Sequence, residues 1–114
     1  MPRYVPERGD LVWLDFHPQS GHEQTGRRPA LVVSPAAYNG KAGLALFCPI
    51  TSQIKGYPFE IELMEKTIRG VVLCDQVRSL DWRARRAKFV ARVERAQLRQ
   101  VLARIRALLH DEVP

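Results

Sequence analysis

Only two cysteines and three histidines occur in 114 residues, and that scarcity sets the first limits. Cys48 and Cys74 lie in separate apolar segments, Leu44–Ile50 and Val71–Cys74, so they supply neither a disulfide framework nor a pair of metal ligands. Both read as small buried hydrophobes. His17, His22 and His110 share no ligand spacing with one another or with the cysteines, so a structural zinc has no support. No metal and no cofactor is expected. Long hydrophobic runs are also missing: nothing approaches the roughly 20 residues that cross a bilayer. The opening Met1-Pro2-Arg3-Tyr4 has no secretory pattern, so a cytoplasmic protein without membrane attachment is expected. No internal repeat or low-complexity stretch interrupts the chain, and 1–114 reads as a single domain with one hydrophobic core.

Acid is in short supply as well. Twelve Asp and Glu stand against 18 Lys and Arg, a formal charge of +6. Between Arg78 and Arg106 ten bases meet two acids, Asp81 and Glu94; this local +8 leaves −2 for the remainder. Such a balance implies an anionic partner, nucleic acid or an acidic protein. Arg83, Arg85, Arg86 and Lys88 flank Trp82, and a basic cluster beside an aromatic suits RNA or an acidic peptide. Arg95, Arg99, Arg104 and Arg106 read as a solvated helix face.

What is present is a series of short strands. Asp10–Phe16 is apolar on both sides, with Leu11 and Trp13 opposite Val12, Leu14 and Phe16, which predicts a strand buried on most of its surface. Ala30–Ser34 is a second strand, ended by Pro35. Asn39-Gly40 marks a turn before a third strand over Leu44–Ile50. Phe59, Ile61 and Leu63 alternate with Glu60 and Glu62, as in a half-exposed peripheral strand. Val71–Cys74 and Arg86–Val93 complete the set, with Phe89 available to the core. Leu98, Val101, Leu102, Ile105, Leu108 and Leu109 recur at helical steps and define one apolar stripe. Its start is weakly marked, since no Ser, Thr, Asp or Asn precedes it, although Glu94 suits the first turn. The expectation is a mainly β fold with α: a compact antiparallel barrel or twisted sheet of about five or six strands with a C-terminal helix against it.

The most chemically loaded stretch is Gly21–Pro35. Two glycines bracket His22, Glu23, Gln24 and Thr25, and Arg27-Arg28 precede Pro29 and the β-branched run. The connection His17–Arg28 is about twelve residues long, near the length at which an unstructured loop is usually functional or disordered. Arg28 would stand at the mouth of a buried strand, where a rooted planar guanidinium suits phosphate. A polar, solvated surface turn is the plainer alternative.

Seven stretches then point to one family. R-Y-V-P-E-x-G-D-L-V-W at 3–13, G-x-E-Q-x-G-x-R-P at 21–29, S-P at 34–35, T-x-Q at 51–53, K-G-Y-P-F-E at 55–60, D-Q-V-x-S at 75–79 and W-R-A-R at 82–85 occur in this order. The chain resembles the MazF/PemK/Kid group of toxins from bacterial toxin–antitoxin pairs, closest to the enteric-type MazF branch. The resemblance implies a homodimeric, SH3-like antiparallel barrel of the CcdB/Kid type. Its activity would be metal-independent, sequence-selective cleavage of single-stranded messenger RNA. The ribose 2′-hydroxyl would attack, leaving a 2′,3′-cyclic phosphate and a 5′-hydroxyl, and growth would stop. A MazE-like antitoxin with an acidic extended segment would block the site.

The same resemblance assigns candidate roles. Arg28 falls on the family's R-P arginine and would clamp the phosphate, with Arg27 as its less constrained neighbour. Thr51 falls on the active-site threonine; being a poor base at neutral pH, it would orient and stabilise. Glu23 falls on the loop glutamate, a base or else a partner of Arg27 or Arg28. His22 stands where the Kid branch has a catalytic histidine, with an ordinary pKa near 6.5 that suits proton transfer. That branch adds an arginine and an aspartate; Asp75 is present here but Leu73 replaces the arginine, which weakens a Kid-type trio. Gln24 and Gln76 offer amide edges to unstacked bases, although Gln76 would equally cap a local turn. Ser52, Gln53, Lys55, Asp75 and Arg85 complete the expected RNA surface. Trp13 and Trp82 are each able to stack on a base, and a strand tryptophan such as Trp13 is more often core. The competing classes are a non-catalytic CcdB-like gyrase inhibitor, disfavoured by the aromatic-free end His110–Pro114, and a small barrel that only binds RNA.

Overall fold

The first strand, β1 (Asp10–Asp15), is covered on both faces, as its two apolar sets require. The computed structural model describes residues 3–16 and 26–111. Within them, Leu11 joins a buried cluster with Leu31, Cys48, Val72 and Val101, while Val12 and Leu14 join a second with Val32, Phe47 and Trp82. A strand that separates two cores cannot alternate in polarity, which is why its sequence is apolar throughout.

The remaining elements are β2 (Arg27–Val32), α1 (Ala36–Ala42), β3 (Leu44–Thr51), β4 (Glu60–Glu62), β5 (Val71–Leu73), β6 (Arg78–Asp81), β7 (Lys88–Arg92) and α2 (Arg95–Leu109). The strand order is β4-β5-β3-β2-β1-β7, with β6 also paired to β3. All pairings among the described residues are antiparallel. The expected mainly β architecture with a C-terminal helix is therefore present, in a small barrel-like layout. β4 lies at the edge of the path, where its alternation of Glu60, buried Ile61 and Glu62 belongs. Helix α2 sets Val101 into the first cluster, with Leu98, Leu102 and Ile105 beside it.

Several expectations need correction. Asn39-Gly40 is not a turn but the middle of α1. Asn39 is fully buried, its side-chain carbonyl accepts from Ser34 Oγ at 2.6 Å, and its amide donates to the Pro6 and Ser34 carbonyls at 2.7 and 3.0 Å. Trp82, expected beside an RNA surface, is buried, and its indole N–H donates to the Asn39 carbonyl at 2.9 Å. Phe89 is not in the core; it is exposed and meets the Tyr4 ring edge-on. Leu108 and Leu109 also stand outside the buried stripe. β6 was not foreseen, and β2 begins at Arg27, so both arginines are on a strand.

Candidate functional site

The site arises from a ladder that stops. β2 and β3 pair Val32 with Phe47, Leu31 with Cys48 and Ala30 with Pro49, and the pairing ends there. Carried two residues further, the same register would set Arg28 against Thr51. Pro29 and Pro49 have no N–H with which to extend it. The strands part instead, and a cleft of about 640 Å³ opens between them, lined by Trp13, Arg27, Arg28, Thr51, Ser52 and Arg69 among others. Five residues expected at the site, Arg27, Arg28, Thr51, Ser52 and Gln53, line this one cleft. Trp13 is half-buried and lines this cleft rather than sitting wholly in the core.

The two adjacent arginines differ in engagement. Arg27 Nη1 donates to Asp15 Oδ1 at 2.8 Å and Nη2 donates to the Arg86 carbonyl at 2.8 Å. Arg86 Nε in turn donates to Asp15 Oδ2 at 2.9 Å. Flanked by these two guanidinium bonds, from Arg86 and then Arg27, the Asp15 carboxyl is held below the usual carboxylate range. Arg28 is exposed, lines the cleft and has no hydrogen bond or ion pair to a described residue; its planar fork suits an anion. Arg85 is not at the cleft: its Nη1 donates to the carbonyls of Asp15 and Phe16 at 3.3 and 2.6 Å. The Phe16 N–H also donates to the Gly26 carbonyl at 2.9 Å. Arg85 thus ties down the root of the 17–25 connection. His22, Glu23 and Gln24 lie outside the described residues.

Thr51 is oriented by its own turn. The Gln53 N–H donates to Thr51 Oγ1 at 3.1 Å, which occupies an acceptor lobe and leaves the hydroxyl proton to point elsewhere. Behind it the backbone is closed by Gly70, whose φ is +134° and whose missing Cβ would collide with the Thr51 carbonyl. Only glycine fits that approach. Neither Gly70 nor the neighbouring Thr67 and Arg69 was foreseen at the site; the one visible signal was a glycine directly before the apolar run at Val71.

A second, smaller hollow of about 150 Å³ adjoins the first through Thr51 and Gln53, and includes Lys55, Tyr57 and Gln76. The Glu60 carboxylate accepts the N–H groups of Lys55 (3.1 and 3.2 Å to its two oxygens) and Gly56 (2.8 Å), folding the 53–57 segment back on itself. Tyr57 donates to Asp75 Oδ1 at 3.1 Å, which places Asp75 beside this hollow rather than in the main cleft. The Gln76 N–H closes a turn onto the Leu73 carbonyl at 3.2 Å, leaving its amide side chain on the hollow. The turn reading of Gln76 is thus met by its backbone.

Thiol chemistry has no place here. Burial pushes the Cys48 thiol up to about 12 and the Cys74 thiol up to about 11, far from any thiolate at neutral pH. No group of three or more His, Cys, Asp or Glu among the described residues is arranged to hold a metal ion. What the cleft does offer is a guanidinium and a donating hydroxyl on opposite walls, an arrangement able to bind a tetrahedral anion and stabilise added charge on it.

Known proteins resemble this chain in sequence and fold. The family described as PemK-like, MazF-like toxin of type II toxin–antitoxin system matches residues 7–109. Endoribonuclease toxin MazF of Escherichia coli K12 is 50% identical over 107 residues, covering 94% of this chain and 96% of that protein. Endoribonuclease PemK of Escherichia coli is 36% identical over 108 residues, covering 90% and 81%. MazF from Deinococcus radiodurans superposes with a TM-score of 0.84 at 56% identity, covering 94% and 98%. A MazE–MazF crystal structure from that organism gives 0.83 at 51% identity, covering 94% and 97%.

Proposed function

Because this chain belongs to the PemK-like, MazF-like family of type II toxins, we propose that its cleft cuts single-stranded RNA by internal transesterification. The protein is an endoribonuclease toxin, with RNA as substrate and a MazE-like antitoxin as its inhibitor. The observation that carries the mechanism is the meeting of Arg28 and Thr51 on one cleft where a β ladder ends.

The ribose 2′-oxygen attacks the adjacent phosphorus and the bond from phosphorus to the 5′-oxygen breaks. One proton leaves the 2′-hydroxyl and one is delivered to the departing 5′-oxygen, so the products are a 2′,3′-cyclic phosphate and a 5′-hydroxyl. Arg28 and the Thr51 hydroxyl donate to the non-bridging oxygens as charge builds on phosphorus. Glu23 and His22 are the proton carriers assigned by family resemblance, and positioned groups of this kind supply about 10²–10⁴-fold. Ser52, Gln53, Lys55 and Gln76 line the path beyond Thr51 and contact the flanking nucleotides. The protein works in the cytoplasm as a homodimer; no helix among the described residues is long and apolar enough to cross a membrane.

The deciding experiment is a single 2′-deoxy substitution immediately 5′ of the cleaved bond. Cleavage there should stop while other sites are cut, and excess EDTA should leave the rate unchanged. Persistent cutting at the deoxy position would sink the mechanism.

A further inference from the structure

We infer that Arg69 is a second phosphate contact, gripping the backbone of a nucleotide next to the one being cut; this rests on the nuclease reading above. The main cleft does not end at Thr51. A neighbouring trough of about 480 Å³ shares Ser52 and Arg69 with it, so Arg69 stands where the two hollows join.

Its position is fixed from both sides. Ile68 is 3% exposed and anchored in the first cluster, and Gly70 is pressed against the Thr51 carbonyl. The arginine between them is exposed and has no hydrogen bond or ion pair to a described residue. This sets it apart from most of the chain's basic cluster. Arg85, Arg86, Arg92 and Arg104 each donate to a carbonyl or carboxylate of the fold, and Arg78 and Arg83 lie over aromatic rings. Among the described residues, Arg28 and Arg69 are the cleft-lining guanidiniums without a partner, given that Arg27 holds Asp15.

The trough beyond Arg69 is suited to a nucleotide. Ile54 and Met64, 59% and 73% exposed, supply apolar surface for a base. Glu62 and Glu65 line the same trough and repel a phosphate, whereas Lys66 on its lining and Arg69 at the junction with the main cleft attract one. A strand held at Arg28 and Arg69 together is fixed at two phosphates, so its register against Thr51 is defined.

The test pairs Arg69→Gln with RNA substrates carrying one neutral methylphosphonate at successive positions around the cut. At one flanking position the substitution should lower kcat/KM of the parent protein about five- to tenfold. Arg69→Gln should show a similar loss on unmodified RNA and no further loss from that methylphosphonate, the non-additivity expected of direct partners. The salt slope of log KM should fall by about 0.7, one phosphate on a single strand. Additive losses at every position would overturn the inference, as would a variant with parental RNA kinetics that has instead lost binding to polyglutamate. If the parent cuts no RNA at all, the nuclease reading itself fails, and this inference with it.

Discussion

Arg28 and Thr51 stand on opposite walls of one cleft, at the positions that the β2–β3 register would have paired had it run two residues further. The ladder ends before it reaches them, and in the proposed mechanism a phosphate binds between the two groups. Arg28→Ala should therefore lower kcat by about 10²–10³-fold, the usual loss for a donor aimed at developing charge. Because the side chain is exposed, the unfolding free energy from urea denaturation should stay within about 0.5 kcal/mol of the parent. Arg28→Lys should recover only part of the rate, since an ammonium cannot make the bidentate contact.

Thr51 gives a sharper test of the hydroxyl. Thr51→Val keeps shape and β-branching but removes the donor, and should reduce kcat by roughly tenfold or more. Thr51→Ser keeps the donor and the bond from the Gln53 N–H, and should retain most activity. Parental activity in Thr51→Val together with a loss in Thr51→Ser, measured with a short cleavable RNA, would show that the methyl group matters and the hydroxyl does not.

The sequence made the architecture visible wherever apolar pattern and neighbour agree. The two-sided β1 and the alternating β4 both read correctly because their environments repeat along the strand. The cleft was reached through the order of family motifs, since nothing local ties Arg28 to Thr51. β6 escaped because Arg78-Ser79-Leu80-Asp81 holds one apolar residue, and its strand form comes from pairing with β3. Asn39-Gly40 misled because a strong local turn signal gave way to tertiary bonds that Asn39 accepts from Ser34 and Trp82 and donates to Pro6. Net charge was legible, but the destination of each guanidinium was not: Arg85 and Arg86 brace the fold, whereas Arg69, outside the basic cluster, faces the cleft.

That buried asparagine yields a stability prediction. Asn39→Ala would leave the Ser34 hydroxyl and the Pro6 carbonyl without their buried partner. A loss of about 2–4 kcal/mol is expected from unsatisfied buried groups. Asn39→Asp should be at least as damaging, since it replaces the amide that donates to two carbonyls with an acceptor. Chemical denaturation followed by tryptophan fluorescence reads both, because the Trp82 indole bonds the same residue.

Asp15 makes stability depend on acid. Its carboxyl is lowered from the ordinary 3.8 by bonds from Arg86 and Arg27. A group depressed in the folded state stabilises fully above its unfolded pKa, and that contribution disappears as pH falls through the folded value. The urea midpoint of the parent should therefore begin to drop near the ordinary carboxylate range and go on dropping below pH 3.8, and Asp15→Asn should show a shallower drop. At neutral pH the same variant should be less stable by about 1–2 kcal/mol, modest because the Arg86 side chain is largely exposed.

Gly70 couples fold to chemistry. At φ +134° a side chain is strained, and a Cβ would run into the Thr51 carbonyl. Gly70→Ala must therefore push apart the β3 and β5 ends that pair Thr51 with Val71. The backbone conformation alone costs about 1–3 kcal/mol, and relief of the collision displaces the Thr51 backbone from its place in the cleft. Activity should consequently fall further than stability does. Displacements near 1 Å at a reacting group can lower rates about 10²-fold, so folded Gly70→Ala protein, checked by its denaturation midpoint, should cut RNA at about a hundredth of the parental rate or less. A variant that loses stability yet keeps its full rate per folded molecule would show that Thr51 is positioned by something other than this backbone contact.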